Sequence, residues 1–252
     1  MKQFAGLLLI AVFAFTCKSE KSNLHSDLET ANLKGNVWKI NKTIHDANGK
    51  CACPAATKTE CNQSQYVYDK KGNLMESCTI DENGNTNVST KYVYNRRGVC
   101  SEIASYSGEK LVGKEVPVLQ GTKVTGYKIY NENGINETTL DYVYSGDVIS
   151  VEKTLNNNGE VVSTVQNEFL NGQLVSQTEK EGNGEVKTIT RYKRNVNNDI
   201  EEYLISVPKD NNEYIIKFEY EYDKAGNWIK QTQSYNGQIV NIVLRNIEYF
   251  NV

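Results

Sequence analysis

Apolar and polar residues alternate with period two along much of this 252-residue chain, most clearly near its C-terminal end. In Tyr214-Ile215-Ile216-Lys217-Phe218-Glu219-Tyr220-Glu221-Tyr222 every even position is apolar or aromatic, while Lys217, Glu219 and Glu221 fall on odd ones. A strand sends successive side chains to opposite faces, so the pattern predicts one buried face and one wet face. Val186, Thr188, Thr190 and Tyr192 alternate with Lys187 and Arg191 in the same way, with Ile189 the exception. No long segment carries a helical period.

Turn phrases punctuate the alternation. Asp or Asn, two residues and Gly recur at Asp46–Gly49, Asp69–Gly72, Asp81–Gly84, Asn95–Gly98, Asn131–Gly134, Asn156–Gly159 and Asp223–Gly226. The opening side chain can bond the backbone ahead of it, and Gly takes the left-handed conformation that returns the chain to an antiparallel partner. Asn171-Gly172 and Asn236-Gly237 are the tighter two-residue form. Strand-end aromatics at Tyr68, Tyr94, Tyr144, Phe169, Tyr192, Tyr222 and Tyr249 recur about every 25 residues, with one double interval, a repeat of two strands and two turns. The stretch Glu109–Thr125, with Pro117, breaks the rhythm and reads as an insertion or long loop. The expectation is an all-β fold: an antiparallel meander of roughly fourteen strands, curled into an open or partly closed sheet. A closed barrel and a propeller are the alternatives.

Tyr66-Val67-Tyr68-Asp69-Lys70-Lys71-Gly72-Asn73 and Tyr220-Glu221-Tyr222-Asp223-Lys224-Ala225-Gly226-Asn227 state the repeat in full. These residues resemble the YD-repeat, or RHS-like, family, and Tyr92–Gly98 matches with Asn95 in place of Asp. Leu33-Lys34-Gly35-Asn36-Val37 is similar to the start of repeat-containing lipoproteins from Bacteroidetes-type bacteria. The resemblance implies a β-sheet scaffold and names no reaction.

The N-terminal end changes the picture of place. Lys2 followed by an apolar run from Phe4 to Phe15, too short to span a bilayer, stops at Cys17. This resembles a bacterial lipoprotein leader. The resemblance implies a signal peptide over residues 1–16, lipidation of Cys17, a flexible tether to residue 32 and a repeat domain over residues 33–252. Anchoring would then be to the outer membrane through lipid, with the protein facing the periplasm or the cell surface. The net charge of −3 gives no basic footprint for nucleic acid.

His45, Asp46, Cys51, Cys53 and Cys61 form the densest group of reactive side chains. Cys-x-Cys is a poor zinc knuckle, and an oxidising envelope favours disulfides. A hairpin at Asp69–Gly72 would set Cys78 opposite Gln63, diagonal to Cys61. One at Asn95–Gly98 would set Cys100 opposite Tyr92 or Val93, too far from Cys78 to bond. Cys51, Cys53, Cys61 and Cys78 are therefore the disulfide candidates, with Cys100 left over. No metal or cofactor is assigned.

With His25 and His45 as the two histidines, and no nucleophile elbow, nucleophilic catalysis has no constellation to use. Glu201-Glu202 and the Glu219, Glu221 pair read as surface charge, and the repeat tyrosines read as sheet core before ligand contacts. The expectation is a non-enzymatic, lipid-anchored binding module for a glycan, peptide or envelope protein. A structural, accessory or immunity-like subunit docking through strand edges is the alternative, with a hydrolase behind both.

Overall fold

The computed structural model describes residues 26–47, 63–81, 84–121 and 123–251. A four-residue helix, α1 (Asp27–Thr30), precedes sixteen strands among the described residues. They are β1 (Val37–Asp46), β2 (Gln63–Tyr68), β3 (Leu74–Ile80), β4 (Thr86–Tyr94), β5 (Cys100–Ser107), β6 (Lys110–Gln120), β7 (Lys123–Asn131) and β8 (Asn136–Ser145). The second half is β9 (Val148–Asn156), β10 (Val161–Leu170), β11 (Gln173–Glu181), β12 (Val186–Arg194), β13 (Ile200–Val207), β14 (Asn212–Tyr222), β15 (Trp228–Tyr235) and β16 (Gln238–Tyr249).

Each strand pairs antiparallel with its neighbours in sequence, and β1 pairs with β16 from Val37 opposite Tyr249 to Asp46 opposite Asn241. The meander is therefore a closed barrel. This corrects the open or partly closed sheet expected above. The cause of closure is repeated along the chain. Except in the β1–β2 and β13–β14 pairings, every pairing carries a register shift, typically beside its turn. Such bulges bend a strand and raise its twist, and summed around the sheet they bring the ends together. Closure leaves no free edge, so docking of a partner by strand addition loses its basis.

The turn phrases fold as read wherever they are described. At the first, Asp69 N–H donates to Asn73 O at 2.9 Å and Gly72 N–H to Asp69 O at 3.0 Å. The Asp69 carboxylate also accepts from the amides of Lys71 and Asn73 at 2.8 and 3.0 Å. Asp81, Asn95, Asn131, Asn156 and Asp223 build the same five-residue loop. Two such loops lacked the phrase, at Glu181–Glu185 and Asn195–Asp199. Glutamate is too long for the side-chain bond, and Asn198 takes the left-handed place of Gly at φ 68°. Glu109–Thr125 is not an insertion: it is largely the hairpin of β6 and β7, in which Pro117 faces Tyr127. These pieces account for the difference between fourteen strands and sixteen.

Antiparallel connection puts the turns after even-numbered strands at one end of the barrel, together with the start of β1. There the chain before β1 forms a strap. Ser26 caps α1 reciprocally with Glu29, and Leu28 N–H donates to Gly72 O at 3.1 Å. The Asn32 amide donates to Asn197 O and Asp199 Oδ1, and Lys34 Nζ to Gly226 O. Residues 26–32 are thus packed on the barrel, where the sequence suggested flexible tether. Leu28 and Leu33 bury against Val37, Ile40, Tyr68 and Leu74, worth about 1.5–3 kcal/mol for each leucine.

Candidate functional site: the inner face of the barrel

The strap identifies which face of the wall is the inside, because its leucines touch the Tyr68, Leu74 and Ile40 side of the strands. Register carries that face around the ring. Ile40 opposes Tyr66, Tyr66 opposes Ser77, Tyr92 opposes Ile103, Tyr127 opposes Leu140, and Tyr192, Tyr203 and Ile216 follow in line. Tyrosine and aliphatic side chains line the interior. Tyr203 stacks edge-on between Tyr192 and Phe218, at 5.3 and 5.0 Å between centroids, and Tyr220 lies 5.9 Å from Trp228. Burial raises the pKa of Tyr66, Tyr68, Tyr192, Tyr203 and Tyr220, so these phenols stay protonated and can donate hydrogen bonds. The repeat tyrosines are therefore core and lining at once.

Several charges share the inner face. On β16, Arg245 follows the inward parity of Val243, Ile247 and Tyr249, and its guanidinium lies 3.2 Å from the centre of the Trp228 ring. Lys42 on β1 stands directly opposite Arg245. Its pKa is lowered by burial first and by the Arg245 charge second. Glu115 faces inward opposite Ile103 and Ile129, and Glu152 opposite Tyr142 and Val165. Burial raises the pKa of both carboxyls. The sequence carried a usable signal for two of the four: Lys42 lies between Ile40 and Ile44 and Arg245 between Val243 and Ile247, charged residues at apolar parity positions, whereas Glu115 lies between Gly113 and Pro117 and Glu152 between Ser150 and Thr154.

The outer face is of the opposite kind. Glu76 opposes Lys91, Asp141 opposes Lys153, and Lys193, Glu202 and Lys217 lie abreast on β12, β13 and β14. Lys193 bridges Glu201 at 2.7 Å, and Lys230 bridges Glu221 at 2.7 Å. The carboxylate pairs weighed for catalysis are thus part of a charged, wet wall. A barrel that crosses a bilayer needs an apolar outer band about 25 Å tall, and each lysine or arginine at its middle costs about 2–4 kcal/mol. Charges at mid-strand around the ring exclude such a band here.

The other sequence candidates divide. Cys17, Cys51, Cys53 and Cys61 lie outside the described residues, as does most of the Asp46–Gly49 turn. Cys78 is a free, half-buried thiol on the outer face of β3, opposite Gln65 rather than Gln63. The five-residue loop with its adjacent bulge moves the register by two. Cys100 is fully buried opposite Tyr94, not Tyr92 or Val93, and its thiol lies 3.5 Å from Glu102 O. His45 bonds Thr43 Oγ1 at 3.2 Å. Among the described residues no three His, Cys, Asp or Glu side chains are grouped to hold a metal.

No family model matches the chain, and no curated protein does. Solved structures do. A porin-like protein from Bacteroides uniformis superposes with a TM-score of 0.60 at 12% identity, covering 85% of this chain and 98% of that one. A porin-like protein from Bacteroides vulgatus gives 0.50 at 13% identity, covering 86% and 99%. At these identities the likeness shows the fold: a sixteen-stranded antiparallel barrel spanning nearly the whole of each relative.

Proposed function

We propose that this chain is a lipid-anchored, non-enzymatic binding barrel of the cell envelope, whose inner face receives its ligand. The observation that carries the reading is the polarity of the wall: aromatic and hydrogen-bonding inside, charged and ion-paired outside. A wall of this kind stands in water, so attachment to the outer membrane falls to the lipid on Cys17 that the leader implies. The porin-like neighbours share the closed sheet and support a location at that membrane. Their name does not extend a channel to a wall with this outer surface. Tyrosines with protonated hydroxyls beside apolar area suit sugars or extended peptides, which need both stacking surface and hydrogen-bond partners. The repeat resemblance supports the scaffold and leaves the ligand to the inner face.

Screening the purified protein on glycan and peptide arrays tests this. Binding without turnover, lost when Tyr203 and Phe218 are replaced by alanine in a protein that still folds, is expected. Turnover of a bound glycan, abolished by a single carboxylate substitution, would overturn it.

A further inference from the structure

Arg245 is in an unusual position for an arginine. Its side chain is half-buried on the inner face, and Nε and Nη1 are shut off from water with no hydrogen-bond acceptor among the described residues. The guanidinium lies against the face of Trp228, 3.2 Å from the ring centre. Arginine cannot shed its proton to escape such a site, so the charge stays. A second cation, Lys42, is its direct cross-strand neighbour. Like charges directly opposite one another in a sheet repel, and their removal from water adds to the cost.

Among the described residues no carboxylate bonds either cation. Asp199, the carboxylate whose charge bears on Arg245, accepts instead from Asn32 Nδ2 at 2.9 Å and Tyr222 OH at 3.0 Å. Asp223 accepts from Tyr249 OH. Glu248 faces outward, bonded to the Asn41 amide at 3.3 Å. The phenols of Tyr66, Tyr68 and Tyr220 are held neutral and supply no counter-charge. A pair of apolar side chains would fill the same wall at lower cost. Two cations that no described carboxylate bonds are complete only when an anion joins them.

We propose that Arg245 and Lys42 form an oxyanion-binding site on the inner face of the barrel, taking a carboxylate, phosphate or sulfate carried by the ligand. The inference rests on the binding-barrel reading and narrows it to acidic ligands. Guanidinium matches such groups with two parallel N–H donors, and Lys42 adds a point charge beside it.

The test uses the full-length protein, purified in mild detergent, in a Trp38→Phe background. The chain has two tryptophans, so Trp228 then reports alone from the face of the guanidinium. Its fluorescence is titrated with sodium glucuronate, inorganic phosphate and, as the neutral control, glucose. Saturable change with either oxyanion and none with glucose is expected. Glucuronate binding much more tightly than phosphate assigns the anion to a sugar; equal affinities assign a bare oxyanion. Arg245→Met should weaken binding at least tenfold, Lys42→Met several-fold, and Arg245→Lys should retain part of it. Circular dichroism checks that each variant folds, and Lys42→Met carries the test if Arg245→Met does not. Absence of any response to oxyanions, or affinity unchanged in the Met variants, overturns the site. A neutral glycan that binds wild type and Arg245→Met equally also overturns it, while leaving the binding barrel standing.

Discussion

At the scale of single residues, the inward carboxyls make a claim about pH. Burial raises the pKa of Glu152 above its unfolded value, so the native state holds its proton more tightly than the unfolded state does. Its stabilising contribution is full below the ordinary glutamate pKa of about 4.3 and is lost as pH rises through the raised native value. At neutral pH the ionised side chain is a net cost. Glu152→Gln should therefore be more stable than wild type at pH 7, with the gain fading toward pH 4. Urea midpoints at the two pH values measure it, and a gain independent of pH would count against burial as the cause. Gly126 makes a steric claim. A Cβ there would stand 2.0 Å from Leu140 O, a backbone atom that cannot swing aside. Gly126→Ala should cost about 1–3 kcal/mol by forcing β7 away from β8. An unchanged urea midpoint would contradict it.

At the scale of elements, the strap is held by two buried leucines and a set of hydrogen bonds, of which those to Asp27 are the most deeply buried. Asp27 Oδ2 accepts from Leu74 N–H and from Tyr94 OH, each at 2.7 Å, in a nearly closed environment. A four-residue helix has no stability of its own, so α1 persists because the barrel holds it. Asp27→Ala would leave the Leu74 amide unsatisfied, costing about 1–3 kcal/mol. Hydrogen exchange should accelerate at Leu28, Leu33 and Leu74 while the strands opposite, β8 and β9, keep their protection. Uniform acceleration would show instead that the strap and barrel unfold together. The strap was hidden in the sequence because Ser26-Asp27-Leu28-Glu29 is short and polar, and its partners lie far along the chain at Gly72, Asp199 and Asn227. The turns were open to reading for the opposite reason. An Asp or Asn side chain bonding its own loop is a local event, and the phrase contains every atom involved. Where the loop forms without it, at Glu181 and Asn195, the eye passes over it.

At the scale of the whole molecule, the meander and its alternation were legible, and closure was not. Whether a sheet closes depends on the sum of many small bends, and each bulge beside a turn is invisible as a residue type. The site was half legible. The tyrosines announce the inner face, and Arg245 breaks its apolar parity, but only closure encloses that charge opposite Lys42 with no described carboxylate bonded to either. The same closure converts ordinary strand polarity into a statement about the membrane. Lys91, Asp141, Lys217 and Glu219 would be unremarkable on one side of an open sheet; around a barrel they form a wall that water wets and lipid does not. The measurement that tests this most directly is liposome flotation of the protein beginning at Ser22, which keeps the strap and lacks the Cys17 anchor. The account predicts a detergent-free, monodisperse, β-rich protein that stays at the bottom of the gradient and gives no ion conductance in planar bilayers. Spontaneous insertion, with flotation and stepwise conductance, would contradict it.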